Sequence, residues 1–489
     1  MVGSLTRASV RGSAWFLLQN ATGRVTQFVS QIILAGLLLP ADFGVVALAT
    51  SITTLIGTFT AFGIEDVLLS RQRKIRFWIL PALWLSLGVA LLGTLVTLAA
   101  APLGAIIYKN PEIKSLIIIL ACSVPFTAAS IVPGVVLQAA LKFRFLAVYA
   151  TAELVCIKLL TVLLAFTGFR AYSFVIPIPI AAVIKAAAFW YMANMRLNWR
   201  VHPVPLWRYL LFSGLAVFGQ KVLTEGRNNA DRIVLGLLQN STVVGLYFFA
   251  LQFAIVPVFT VLASLYRVLM TTFAHMRTDP DRQLRAALSV SRVVVAAVIP
   301  LSLLQAVLAR PLLHLLFADR WMGSVVPMEI LSVALGLDSL PCVIFALASA
   351  NGRFRFQLIW TALSFPAFLL AVTVGGILGS GEGVAWGVAA FTAVFAPTYC
   401  YLVLRPFGCS VVDVLKIYEL PVLCSLVAIG PAALLQELPH FHVSDLTAIV
   451  GILAWSGLVY PLLIYLANPA FFLEIKSRVA ETVLNPLRV

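Results

Sequence analysis

Long apolar stretches follow one another along almost the whole chain, separated by short polar segments. An α-helix needs about 20 apolar residues to cross a bilayer. The pattern predicts fourteen spanning helices, at about 12–38, 44–65, 78–100, 115–140, 146–168, 172–195, 208–239, 243–264, 286–308, 327–350, 357–379, 384–404, 419–436 and 446–467. Prolines inside these spans, such as Pro125, Pro177 and Pro257, predict kinks or local breaks. We therefore expect an all-α polytopic membrane protein.

The seventh predicted span differs from the others because its middle is strongly polar. Residues 219–232, GQKVLTEGRNNADR, hold five charged side chains between apolar runs. Helical spacing puts these charges in two neighbouring stripes on one side of the helix. Each charge that faced lipid would cost about 2.5 to 3.5 kcal/mol. We therefore expect a protein-lined polar pathway, and a solvated linker between two halves of the chain is the alternative.

The composition is typical of a membrane protein. Apolar residues make up 61% of the 489 residues, charged residues make up 11%, and the mean hydropathy is +1.02. The net charge of +15 does not predict nucleic-acid binding, because basic residues collect in the cytoplasmic loops of membrane proteins. Alternate loops carry most of the basic residues, whereas the remaining loops carry Lys109, Lys114, Arg170, Arg310 and Arg320. This bias predicts that both termini are cytoplasmic.

The cysteines and histidines give no sign of a metal site. The six cysteines lack paired spacing, and the five histidines are scattered singly along the chain. We therefore predict no metal site, no cofactor and no disulfide framework. The first apolar stretch contains Arg24 among several amides and has no small-residue cleavage pattern, so we interpret it as a spanning helix and not as a removable signal.

Two pairs of similar segments indicate an internal repeat of six helices. Residues 142–145, KFRF, recur as RFRF at 353–356, after the fourth and the tenth predicted spans. Residues 36–49, GLLLPADFGVVALA, compare with 236–250, GLLQNSTVVGLYFFA, with one residue inserted. Each match joins a helix to the one six later, so the two halves should have the same orientation in the membrane.

The repeat predicts the organisation of the whole chain. One six-helix bundle would occupy residues 1–200 and a second, pseudo-symmetric bundle would occupy 201–404. Two additional helices and a cytoplasmic tail would follow at 405–489. The two bundles are expected to face each other across a central cavity.

Several of these segments resemble a known family. They are residues 34–52, LAGLLLPADFGVVALATSI, residues 62–74, FGIEDVLLSRQRK, and residues 212–253, which contain NNADR before a Leu-Gly-Leu run. Together they resemble the Wzx-type oligosaccharide flippases, the polysaccharide transporters of the multidrug/oligosaccharidyl-lipid/polysaccharide exporter superfamily. The resemblance implies alternating access and translocation of undecaprenyl-diphosphate-linked oligosaccharides across the bacterial inner membrane. It brings no catalytic signature, so we do not expect an enzyme.

A flippase for such a substrate needs fixed cations that a diphosphate can contact. The candidate substrate contacts inside the predicted spans are Arg24, Lys158, Lys185, Lys221, Arg227 and Arg232. The acids that would pair with them, or exchange protons to couple transport to a gradient, are Glu153, Glu225, Asp231 and Asp338. On the seventh span, the pairs Lys221 with Glu225 and Arg227 with Asp231 stand four residues apart. For the acids, Lys158 and Lys185, static buried pairs that lock helices together are the alternative.

Two other functions stay open from the sequence alone. A membrane glycosyltransferase or polysaccharide polymerase uses similar lipid-linked sugars, but it would need a larger outer loop with paired carboxylates or a histidine base. A small-molecule exporter of the same superfamily is the second alternative, although the excess of cationic side chains suits anions better than cationic drugs. Membrane lipid is an expected partner, and a polysaccharide polymerase or export machinery is a candidate partner for the basic inner loops.

Overall fold

The computed structural model describes residues 22–23, 25–61, 64–70, 75–195, 204–437 and 444–473. All regular elements in these ranges are helices. A helix pairs its backbone groups within its own segment, which a lipid environment requires. The all-α prediction is therefore confirmed. The chain divides into two compact units, Met1–Gly245 and Leu246–Val489.

The first unit is built from ten helices among the described residues and the beginning of another. They are α1 (Val25–Leu37), α2 (Pro40–Ala61), α3 (Ile64–Ser70), α4 (Ile75–Ile107), α5 (Glu112–Ala121), α6 (Val124–Ala139), α7 (Phe143–Phe166), α8 (Tyr172–Val175), α9 (Pro177–Ala193) and α10 (Val204–Leu238). α2 packs against α4, α5 and α10, and α6 packs against α4 and α9. A core that includes Ile64, Ile79 and Val132 joins α3, α4 and α6.

The second unit begins within α11 (Ser241–Ala254). Its further helices are α12 (Val256–His275), α13 (Pro280–Phe317), α14 (Val325–Leu337), α15 (Ser339–Ala350), α16 (Phe354–Leu404), α17 (Val411–Glu437) and α18 (Asp445–Ala467). α13 packs against α14, α15, α17 and α18, so it forms the centre of this unit. Its apolar core includes Val298, Leu347 and Val403.

Nine segments within the described ranges are long and apolar enough to cross a membrane. Four of these segments contain more than one helical stretch, namely Glu112–Ala139, Tyr172–Ala193, Pro280–Ala350 and Phe354–Phe407. The last of them turns within α16 at Gly379 and Ser380, where the backbone is not helical. α1 and α11 are shorter apolar helices. The protein is a multi-pass membrane protein, and fourteen crossings stay a prediction.

Prolines mark several places where the structure starts a new helix. The span predicted at 115–140 is formed by α5 and α6, which meet just before Pro125. α9 begins at Pro177, and Pro257 lies in the first turn of α12. A proline in the first turn loses no helical hydrogen bond, so these positions start helices without a penalty. Pro300, in contrast, lies inside the continuous helix α13.

Local contacts at matching positions support the internal repeat. In the first unit, the Lys142 ammonium donates to the carbonyl of Met192, 50 residues further along, over 3.0 Å. In the second unit, the Arg353 guanidinium donates to the carbonyl of Val403, also 50 residues further along, over 3.1 Å. The residue before each of these cations has a positive φ. The KFRF and RFRF segments therefore begin their helices in the same way.

Candidate functional site

The polar stretch 219–232 lies inside α10, which runs through it without a break. Asn229 and Asp231 are only 4% and 5% exposed, and the side chains from 220 to 227 are half-buried. α10 also packs along α2. Buried polar side chains on a packed helix contradict a solvated linker, so that alternative is wrong. α10 is a structural helix of the first unit that carries charge.

The charges of α10 do not pair as their four-residue spacing suggested. Asp231 instead accepts from the backbone N–H of Arg232 over 2.8 Å and lies 3.6 Å from its Nε. The Arg232 side chain folds back along the helix, because its guanidinium donates to the carbonyl of Asn228. Glu225 and Arg227 are half-buried and form no ion pair with any other described residue. Lys221 is also half-buried.

An acid–base pair connects α7 and α9. The Lys185 ammonium lies 3.1 and 3.3 Å from the two carboxylate oxygens of Glu153. The Lys185 side chain is 33% exposed and the Glu153 side chain 17% exposed. The ammonium also lies 5.8 Å from the ring centroid of Phe189. Glu153 and Lys185 therefore form the kind of ion pair that the sequence suggested as the alternative to substrate contact. Both side chains stay partly accessible.

Lys158 is different because no acid among the described residues pairs with it. It lies within the apolar span Phe143–Phe166 and is half-buried. Its helical spacing places it on the same face of α7 as Thr161 and Ala165, which are both buried. An unpaired charge inside a membrane span is costly and is typical of a functional position. Lys158 is therefore the strongest substrate-contact candidate in the described part of the chain.

The remaining predicted residues do not join these groups. Arg24 lies outside the described residues. Asp338 is an exposed residue between α14 and α15 in the second unit, whereas the other candidates lie in the first unit. The structure thus brings together Glu153 with Lys185, and Asp231 with Arg232. A role for any of these residues in transport stays a prediction.

Sequence reasoning missed an ion pair at the beginning of α2. Asp42, in the segment LPADFG, is 2% exposed, and its Oδ1 lies 3.1 Å from Nη2 of Arg170. Its Oδ2 accepts from the backbone N–H of Leu39 over 3.0 Å. Asp42 therefore caps α2 and ties it to the loop between α7 and α8. A cavity of about 340 Å³ lies against this loop and is lined by Glu112 and Tyr172, among others.

Two glycines allow a close backbone crossing within the first unit. A β-carbon on Gly44 would overlap the carbonyl of Ser241, and a β-carbon on Gly245 would overlap the carbonyl of Pro40. The contact is reciprocal, and the two glycines hold matching positions in the repeated segments 36–49 and 236–250. Glycine is required because no other residue leaves room for such an approach.

Tyr108 lies between two membrane segments and packs on α10. A β-carbon on Gly236 would lie 2.8 Å from the ring of Tyr108. Burial raises the pKa of Tyr108 from its ordinary value of 10.0 to about 12. The phenol therefore stays neutral throughout the physiological range, and its role is packing.

The described residues offer anion-binding chemistry. No group of three or more His, Cys, Asp or Glu side chains in the described ranges could hold a metal ion. All six cysteines are free thiols. The unpaired Lys158 and Arg227 are cations whose side chains can contact phosphate, Lys as a point charge and Arg through a bidentate contact.

The fold resembles known membrane transporters. It matches the lipid II flippase MurJ in an inward closed conformation with a TM-score of 0.75 and 13% identity, over 92% of this chain and 98% of that chain. It matches an inward-facing multidrug resistance MATE family transporter of the MOP superfamily with a TM-score of 0.59 and 14% identity, over 81% of this chain and 96% of that chain. The chain therefore has the all-α polytopic membrane fold of these two proteins.

The family model described as polysaccharide biosynthesis protein matches residues 33–326, and the chain belongs to this family. It is 24% identical to the succinoglycan biosynthesis transport protein ExoT of Rhizobium meliloti (strain 1021) over 465 residues, which are 94% of this chain and 93% of that protein. It is 20% identical to the lipopolysaccharide biosynthesis protein WzxC of Escherichia coli (strain K12), over 77% of each chain. The resemblance stated from the sequence is confirmed by the family model. ExoT and the two structural neighbours are transport proteins and not enzymes, in agreement with the prediction from the sequence.

Proposed function

We propose that the protein is a flippase that moves undecaprenyl-diphosphate-linked oligosaccharide repeat units across the bacterial inner membrane by alternating access. Membership of the polysaccharide biosynthesis family, and similarity to a succinoglycan transport protein along nearly the whole chain, support this substrate class. The structural observation that carries the proposal is the unpaired Lys158 inside an apolar span. A lysine there needs an anion, and the diphosphate of the carrier lipid would supply one.

The contacts in the first unit suggest how substrate could bind without being trapped. Lys158 and Arg227 would contact the diphosphate directly, because no described acid competes for them. Lys185 would exchange Glu153 for a phosphate oxygen when substrate enters. A partly exposed ion pair contributes only about 0 to 1 kcal/mol, so this exchange costs little. Arg24, Lys221 and Arg232 are further proposed contacts along the same path.

The acids would reset the site after release. Glu153 would pair with Lys185 again, and Asp231 already holds Arg232 in the structure. Glu225 is half-buried without an ion-pair partner among the described residues, and it is our first candidate for proton coupling. Asp338 is the candidate in the second unit.

The proposed topology follows the charge bias of the sequence. Both termini would be cytoplasmic, with bundles over 1–200 and 201–404 and two helices over 405–489. The basic inner loops would offer a surface to a polysaccharide polymerase or to the export machinery.

Deletion in the source cell tests this proposal. We expect lipid-linked repeat units to accumulate on the cytoplasmic leaflet and surface polysaccharide to be lost. Complementation with Lys158→Gln or Arg227→Gln should restore insertion but lower export at least tenfold, because loss of a charge-assisted contact costs about 1.5 to 3 kcal/mol. Lys114→Gln is the matched control, because Lys114 is an exposed lysine at the beginning of α5. This variant should export normally.

The alternatives predict different products. If deletion left single repeat units on the outer leaflet, the protein would act in polymerisation. If surface polysaccharide were unchanged while export of a small molecule failed, it would be a small-molecule exporter. Normal export by both cation variants would refute the proposed cationic site.

A further inference from the structure

A second site lies in the second unit, where α13, α17 and α18 meet around a cavity of about 450 Å³. Arg310 of α13, Gln436 of α17 and Asp445 at the beginning of α18 line one part of it. The volume is within the range of about 300 to 1,000 Å³ that is typical of small-molecule sites. None of the substrate-contact candidates within the described ranges lines this cavity.

Two side-chain hydrogen-bond donors of the cavity have no partner among the described residues. The Arg310 guanidinium forms no ion pair or hydrogen bond with any other residue that the structure describes. Nε2 of Gln436 is buried and makes no hydrogen bond. A buried donor without a hydrogen bond is unfavourable, so the Gln436 amide favours a ligand with acceptor oxygens. The Arg310 guanidinium is exposed, and its charge favours an anion.

The other polar groups of the cavity are already engaged. The Asp445 carboxylate lies 2.6 Å from Nδ1 of His314. The indole N–H of Trp455 donates to the carbonyl of Ala428 over 3.0 Å. The groups left for a ligand are therefore the guanidinium of Arg310 and the amide of Gln436, and both suit an anion.

The rest of the lining is apolar and extends along a membrane segment. α18 belongs to the span Asp445–Ala467. Ile452 and Trp455 line the cavity further along α18 than Asp445 does. From Asp445 to Trp455 the helix rises by about 15 Å. Gly451 also lines the cavity, and a β-carbon on it would meet no atom within 4 Å. The cavity therefore has a polar end at the end of the span and an apolar end inside it.

We propose that this cavity binds an anionic glycerophospholipid of the surrounding membrane as a resident ligand. Its phosphate would contact Arg310 and Gln436, and an acyl chain would lie along Gly451 and Ile452. Guanidinium is well suited to phosphate. Free phosphate would leave the apolar wall uncovered, and a phosphate-free lipid would leave both donors unsatisfied. A lipid in this position would connect α18 to α13 and α17.

Fluorescence quenching by brominated lipids tests the proposal, because Trp455 lines the cavity. The full chain is reconstituted in nanodiscs that contain phosphatidylglycerol, phosphatidylcholine or diacylglycerol with brominated acyl chains. The quenching of Trp455 is obtained by subtracting the quenching measured for Trp455→Phe from the quenching measured for the wild type. We expect brominated phosphatidylglycerol to associate roughly fivefold more strongly than phosphatidylcholine, as one surface cation adds about 1 kcal/mol. Diacylglycerol should show no preference for the site.

Two variants and a control locate the preference. Arg310→Gln removes the cation from an exposed side chain, and Gly451→Leu fills the cavity where the structure has space. Both should abolish the excess quenching by phosphatidylglycerol, whereas Lys114→Gln should retain it. Equal quenching by all three lipids, or an excess that survives both variants, would overturn the proposal. Loss of the excess on addition of millimolar inorganic phosphate would assign the site to the free ion instead of a lipid.

Discussion

At the scale of single residues, long-range contacts decide which positions matter. The LPADFG segment attracted notice for its family resemblance, but its sequence does not reveal why Asp42 or Gly44 is required. Asp42 is required for its ion pair with Arg170, and Gly44 is required because the carbonyl of Ser241 approaches it closely. Both partners lie far away along the chain, and a local pattern carries no information about which distant backbone approaches a glycine. The position of Lys158 inside a membrane span, in contrast, could be predicted, because a charge in an apolar run is visible in the sequence.

Gly44→Ala should destabilise the protein. The new methyl group would overlap the Ser241 carbonyl, and overpacking of this kind costs about 1 to 3 kcal/mol. Gly57→Ala in the same helix is the control, because a β-carbon there meets no atom within 4 Å. Thermal melting of both purified variants in detergent should show a lower melting temperature for the first alone. Equal melting temperatures would mean that the helices do not cross closely at Gly44.

Tyr108 predicts a particular response to alkaline pH. Its pKa is about 12 in the folded protein against 10.0 ordinarily, so the folded state keeps a proton that the unfolded state releases. Stability therefore falls as the pH rises from 10 to 12, and this contribution is fully present below pH 10. Tyr108→Phe cannot ionise and should lose less stability than the wild type over this window. The melting temperatures of both proteins are measured at each pH. An equal loss of stability in the two proteins would contradict a buried phenol at position 108.

At the scale of helices, the apolar stretches and the prolines predicted most helices. They did not predict every place where one helix ends and the next begins. The continuity of α10 through its charges followed from the absence of a turn signal before Asn240. The break between α14 and α15 at Asp338 was not predicted, although Pro341 lies in the first turn of α15 and marks it. The pairing of Asp231 with Arg232 was also missed, because side-chain conformation and not spacing alone decides which ion pairs form.

The turn within α16 provides a test of backbone strain. Ser380 has a φ of 58° and a ψ of −136°, a conformation that is essentially restricted to glycine. Ser380→Gly should therefore stabilise the protein by about 1 kcal/mol. Ala390→Gly, at an exposed position in the regular part of the same helix, should destabilise it by about 0.5 to 1 kcal/mol. Chemical denaturation of the two variants measures the difference, and loss of stability in both would refute a strained turn at Ser380.

At the scale of the whole molecule, contacts at matching positions support both pairs of repeated segments in the sequence. The Lys142 and Arg353 contacts occupy equivalent positions in their own units, and Gly44 and Gly245 hold equivalent positions in the other pair of repeated segments. The membrane class could be predicted from the long apolar stretches, and the family could be predicted from the segments at 34–52, 62–74 and 212–253. The cavity at Arg310 and Gln436 could not be predicted, because it depends on how α13 packs against α17 and α18, which lie far along the chain from it.

The most direct test of the proposed flippase activity is translocation of lipid-linked repeat units in liposomes that contain the purified protein. The protein is reconstituted with lipid-linked repeat units from its source cell, and the units that reach the opposite leaflet are measured by their accessibility to an added glycosidase. Protein-dependent transfer is expected for the wild type and for Lys114→Gln. Lys158→Gln should reduce the rate at least tenfold, because the diphosphate loses its unpaired cation. Transfer by Lys158→Gln at the wild-type rate would contradict a cationic site on α7, and no transfer by the wild type under any imposed ion gradient would contradict a flippase.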